Sequence, residues 1–114
     1  MKILDPHTTL ESLKKQIKEF CTQRDWDKPH NPKDLAVGAV TEASELLEIF
    51  RFCSEEKSLE MVRDKQMRER MSEELADILC FLLRFAQLYN FDLASCLKEK
   101  LVKNALKYPV DDES

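Results

Sequence analysis

A single glycine in 114 residues is the feature that most limits how this chain can fold. Tight turns and sheet corners draw on glycine for backbone conformations other residues avoid, so one glycine and four prolines leave few breaks. Long helices satisfy that constraint; a sheet with many turns does not. Apolar residues make up 43% of the chain and charged residues 35%, a globular balance for one domain with one core. So high a charged share in so short a chain favours a small helical core that is finished by oligomerising.

Helical periodicity accounts for nearly all of the sequence. A first segment opens at Thr8, with Glu11 three residues on as in a capping box, and carries Leu10, Leu13, Ile17, Phe20 and Cys21. It stops before Asp27-Lys28-Pro29-His30-Asn31-Pro32. Asn31 and Pro32 then suit the cap and first position of a second helix, which carries Leu35, Ala39, Val40, Ala43, Leu46, Leu47 and Phe50 to about Cys53. Ser54 to Ser58 reads as a loop. A long third helix is expected from about Leu59 to Tyr89, charged in its first half and densely apolar from Leu75 onward. Asn90-Phe91-Asp92 turns the chain, and Asp92 caps a fourth helix through Leu93, Cys96, Leu97, Leu101 and Ala105 that ends before Pro109. Residues 1–114 form one domain in this reading, with 111–114 as a loose tail.

Several classes of protein fall away. The net charge of −4 supplies no basic field for nucleic acid, and makes a polyphosphate an unfavourable ligand unless metal ions accompany it. The stretch from Ile78 to Phe85 is interrupted by Arg84 and is too short to span a membrane. The N-terminus lacks a signal-peptide pattern. Cys21, Cys53, Cys80 and Cys96 show no C-x-x-C spacing, and three lie on apolar stripes, so reduced, buried thiols in a cytoplasmic protein are expected.

The chemistry rests on acids. Glu42 and Glu45 are three apart, hence on one face of the second helix, and Glu74 and Asp77 repeat the spacing on the third. Both pairs sit among apolar neighbours that should pack inward. Like charges one turn apart destabilise a helix, and more so when partly buried. A hard divalent cation with oxygen ligands offsets this directly. A solvated acidic face paired with nearby lysines or arginines is an open alternative. A di-iron bundle would require Glu-x-x-His on two helices, and neither His7 nor His30 follows a glutamate by three.

Glu42-Ala-Ser-Glu45 followed by Glu74-Leu-Ala-Asp77 resembles the E-x-x-E…E-x-x-D signature of the MazG-like all-α nucleoside triphosphate pyrophosphohydrolases. Arg24-Asp25-Trp26 and His30-Asn31-Pro32-Lys33 look like the preceding segment of the dCTP pyrophosphatase-like branch. Lys100, Asn104 and Lys107-Tyr108-Pro109 match its closing pattern. Two departures stand out: Ser44 where many members carry Gly, and Phe52 where dCTP-preferring relatives carry Trp, which works against a strict cytosine preference.

The resemblance implies an antiparallel four-helix bundle, assembled as a dimer or dimer-of-dimers tetramer with sites near subunit interfaces. It implies Mg²⁺-dependent hydrolysis of nucleoside triphosphates, dCTP or related and modified dNTPs, to monophosphate and pyrophosphate for nucleotide pool sanitation, with Mn²⁺ able to substitute. Glu42, Glu45, Glu74 and Asp77 are the implied metal ligands, with Glu45 and Glu74 as catalytic candidates and Glu45 favoured to orient or deprotonate water. Trp26, His30, Phe52, Phe81, Lys100, Asn104, Lys107 and Tyr108 are the candidate substrate contacts. Core packing is the competing role for Trp26, Phe52 and Phe81. The rival function is a non-catalytic helical interaction module, or a metal-binding regulatory one, and pyrophosphate release from a triphosphate separates them.

Overall fold

Each α-helix among the described residues begins on a side chain that replaces the missing backbone partner of its first turn. In the computed structural model, which describes residues 3–26 and 31–111, a short 3₁₀ turn at Asp5–His7 precedes five helices: α1 (Leu10–Gln23), α2 (Pro32–Phe50), α3 (Glu55–Arg63), α4 (Lys65–Tyr89) and α5 (Leu93–Lys107). The caps are Thr9, Asn31, Ser54, Asp64 and Asp92. Their side-chain oxygens accept from the backbone N–H of Ser12, Asp34, Lys57, Met67 and Ser95 at 3.1, 2.8, 3.1, 2.9 and 3.0 Å. The all-α class holds, and among the described residues there is no strand.

Three expected boundaries shift. The first helix is capped by Thr9 rather than Thr8, whose N–H instead donates to Asp5 O and closes the 3₁₀ turn. Ser54 to Ser58 is not a loop, because Ser54 is itself the cap that starts α3. The long third helix is two helices, broken at Asp64, whose backbone is extended at φ −80° and ψ 127°. At the other end of α4, Asn90 adopts a left-handed conformation (φ 60°, ψ 48°), and its N–H donates to Ala86 O. Asparagine tolerates this geometry better than most residues.

Helix α4 is the hub, with α1, α2 and α3 each packed on it. Cys21, Leu35, Ile49, Met71, Leu83 and Ala86 form the buried apolar core, together with the charged Arg84 at 2% exposure. The guanidinium of Arg84 donates to Gln87 Oε1 at 2.6 Å. Helix α5 has only marginal contact with the other helices. Its Leu97, Leu101, Val102 and Leu106 are exposed, as are Val40 and Leu47 of α2 and Leu75, Leu79 and Leu82 of α4. Within one chain the bundle is therefore open. The cysteines are free thiols, but only Cys21 is buried; Cys53 is half-buried, and Cys80 and Cys96 are exposed because none of the described residues covers their faces. No helix among the described residues is long and apolar enough to cross a membrane.

Candidate metal centre

The site lies in the seam where α2 and α4 run antiparallel. Gly38 faces Phe81 near one end, while Glu42 and Glu45 meet Glu74 farther along. Helical spacing puts Gly38, Glu42 and Glu45 on one face of α2, and Glu74, Asp77 and Phe81 on one face of α4. Buried Leu35 and Ile49 bracket the α2 set, and buried Met71 and Arg84 bracket the α4 set. The acids thus occupy the middle of a packed seam, with buried residues toward both ends: Leu35 and the charged Arg84 at one, Ile49 and Met71 at the other.

Glycine inside a helix is less favourable than alanine by about 0.5–1 kcal/mol. Gly38 does not hold a left-handed conformation, so backbone freedom does not explain it. Space does: a Cβ there would fall 2.6 Å from both Cδ1 and Cζ of Phe81, and closer still to Cε1.

One carboxylate oxygen each from Glu42, Glu45 and Glu74 lies within 4.8 Å of the others. Oε2 of Glu42 and Oε2 of Glu74 are buried without a hydrogen-bond partner. The pKa of Glu42 is raised to about 7, first by a side-chain hydrogen bond with Glu45, then by burial and by the charges of Glu45, Asp77 and Glu74. Glu74 is raised as well, chiefly by burial, then by its hydrogen bond with Glu45 and the charges of Glu45, Asp77 and Glu73. Each of these influences pushes the same way, and no cation is among them. The ion pairs seen among the described residues, Arg51–Glu48 at 3.4 Å and Lys57–Glu60 at 3.7 Å, lie elsewhere.

A solvated acidic face paired with basic side chains does not have these properties. Convergent carboxylates with orphaned buried oxygens are the donor set that a hard divalent cation takes. Two oxygens on opposite sides of a magnesium ion are about 4.2 Å apart, and one oxygen from each of the three glutamates lies within 4.8 Å of the others. Glu42, Glu45 and Glu74 therefore fit a divalent metal. Asp77 bears on them through its charge but is not in the tight trio.

The remaining candidates are dispersed. Phe81 packs on Gly38 within the seam. Trp26 is partly exposed just beyond α1, its ring edge against Phe20 with centroids 5.7 Å apart. Phe52 is 88% exposed past the end of α2, with the Arg51 guanidinium 5.0 Å from its ring centroid. Lys100, Asn104, Lys107 and Tyr108 follow α5, away from the packed bundle, with Lys107 Nζ 5.4 Å from the Tyr108 ring centroid. His30 lies outside the described residues. One chain thus assembles the acids but does not bring the α5 residues to them. Sequence reasoning passed over Gly38 as part of the site; its signal was that the sole glycine falls one turn before Glu42 inside an apolar helix.

Among the described residues, five helices around a seam of paired carboxylates define an all-α protein with an acidic cluster that could hold a metal ion. The sequence pattern of the MazG-like family matches residues 38–114, and the chain belongs to that family. The named relatives are consistent: dCTP pyrophosphatase 1 of Rattus norvegicus is 32% identical over 105 residues, covering 92% of this chain and 62% of that protein. The Homo sapiens protein of the same name is 31% identical over 104 residues, covering 91% and 61%. The chain thus spans about three fifths of the length of these relatives. The crystal structure of a pyrophosphatase from Archaeoglobus fulgidus superposes with a TM-score of 0.84 at 35% identity, covering 96% of this chain and 100% of that one.

Proposed function

We propose that this protein hydrolyses deoxynucleoside triphosphates, dCTP or related and modified dNTPs, to the monophosphate and pyrophosphate, and so clears the nucleotide pool of the cytoplasm. The observation that carries this is the convergence of Glu42, Glu45 and Glu74, two of them with orphaned buried oxygens, in a chain similar to proteins named for that activity. Glu42, Glu45, Glu74 and Asp77 would hold Mg²⁺, with Mn²⁺ as a substitute. When bound, the metal supplies charge neutralisation for the polyphosphate and a lowered pKa for a ligated water.

The residues divide the work by exposure. Glu42 and Glu74 are withdrawn into the seam and serve as ligands. Glu45 is the exposed member of the trio and hydrogen-bonds to both. It would orient a water toward the α-phosphorus and take its proton as the new P–O bond forms and the bond to the departing pyrophosphate breaks. Trp26 and Phe52 offer exposed aromatic faces for the base. The protein works as a homo-oligomer, a dimer or pair of dimers, in which Lys100, Asn104, Lys107 and Tyr108 of one copy meet the phosphates and sugar held by another.

Incubation with a panel of canonical and modified dNTPs plus Mg²⁺, with pyrophosphate as the readout, tests the proposal. Release is expected, and Glu45→Gln and Glu74→Gln should each reduce it strongly. A folded protein that releases pyrophosphate from none of the panel refutes the activity; wild-type turnover by either variant refutes the assignment of these acids.

A further inference from the structure

We infer that Gly38 is a positioning residue: by admitting the Phe81 ring against the backbone of α2, it sets the width of the carboxylate seam and so the metal affinity. The inference rests on the metal-binding role proposed for the four acids, and concerns what holds them at ligating distance.

Three observations carry it. The sole glycine of the sequence lies inside α2, where glycine weakens a helix, and its backbone is not left-handed. The space its missing side chain leaves is filled by the ring of Phe81, with Cδ1 and Cζ 2.6 Å from where a Cβ would stand. The contact is also adjacent to the acids along both helices. Gly38 is four residues from Glu42 and seven from Glu45, while Phe81 is four from Asp77 and seven from Glu74. These steps of one and two turns keep all six residues on the facing surfaces.

Ordinary carbon contacts begin near 3.4 Å, so a methyl group at position 38 must displace the ring by about 1 Å. The ring is rigid and lodged between two helices, so the displacement passes to the spacing of α2 and α4. Magnesium requires its oxygens at about 2.0–2.1 Å in a near-ideal octahedron, with a tolerance of about 0.2 Å. A seam opened by several times that tolerance leaves Glu42 and Glu45 on one side and Glu74 and Asp77 on the other too far apart to share one ion.

The test is calorimetric titration of Mg²⁺ and Mn²⁺ into the 114-residue wild type, Gly38→Ala, Phe81→Val and the double variant, with metal-free melting curves of each. Gly38→Ala should bind metal about 10–100-fold more weakly, the range typical for residues that support metal ligands. Valine removes the ring atoms that the new methyl would meet, so the double variant should return to within about threefold of Phe81→Val alone. Wild-type affinity in Gly38→Ala overturns the inference, as does a double variant no better than Gly38→Ala. A lowered melting temperature with unchanged affinity overturns it too, since it makes the glycine a packing residue only. If Gly38→Ala fails to fold, recovery of fold and affinity in the double variant supports the inference and continued failure overturns it. Absence of binding by the wild type is a different result, and refutes the metal centre itself.

Discussion

Replacing Leu82 with lysine tests whether the exposed apolar surface is covered in solution. A folded monomer of 13.4 kDa should expose about 6,500 Å² by the usual scaling with mass. This chain exposes 9755 Å², an excess of about 3,300 Å². Its radius of gyration, 17.4 Å, exceeds the roughly 13 Å expected for a compact chain of this length. A standard interface covers about 800 Å² per partner, so the excess is large enough for more than one interface or for one of the obligate kind. Leu82 is 48% exposed and lines an apolar groove of about 310 Å³ with Leu79, Phe85, Phe91 and Leu93. An ammonium buried there costs several kcal/mol, and about 4 kcal/mol weakens association about a thousandfold. Light scattering across a concentration series should give the wild type a mass at least double that of the 13.4 kDa chain, with Leu82→Lys dissociating at far higher concentration. A wild type that is folded and monomeric throughout refutes the argument from surface area. An unchanged mass in the variant refutes the assignment of this groove to the interface.

Three further outcomes follow from local geometry. Glu42 titrates near 7 in the folded protein against 4.5 ordinarily, and Glu74 is raised in the same sense. The folded metal-free protein therefore holds more protons than the unfolded chain across that interval, and its stability falls as pH rises through it. Metal-free melting temperatures should drop over this range and Glu42→Gln should flatten the profile; a flat wild-type profile counts against the raised Glu42. Asn90→Ala places a Cβ-branched-free but left-handed-averse residue at φ 60° and should cost about 1 kcal/mol in urea unfolding, whereas Asn90→Gly should be nearly neutral. Asp64→Ala removes the cap of α4 and should cost about 1 kcal/mol in the same assay; no change would mean that the Met67 N–H finds another partner.

What was legible in the sequence was local. Asn31-Pro32 announced the start of α2 and Asp92 that of α5, because a cap is chosen by its own first turn. The one-face placement of Glu42 with Glu45 and of Glu74 with Asp77 followed from helical spacing alone. The break at Asp64 was hidden because an aspartate within a charged run suits a helix surface and a cap equally well. The burial of Arg84, the exposure of Cys80 and Cys96, and the isolation of α5 depend on which helices approach one another, which periodicity does not encode. Gly38 stood in plain view, but its purpose became visible only when Phe81 was placed opposite it.

Asp64 closes α3 with its backbone, donating its N–H to Met61 O, and opens α4 with its side chain. This makes the joint a phase reset. The angular position of Glu74 and Asp77 on α4 is counted from Asp64, not from anything before it. Residues could be added to or removed from α3 without rotating the acids out of the seam, whereas one residue inserted between Asp64 and Glu74 would turn them by about 100°. Variation in length is therefore tolerable on one side of a single aspartate and ruinous on the other.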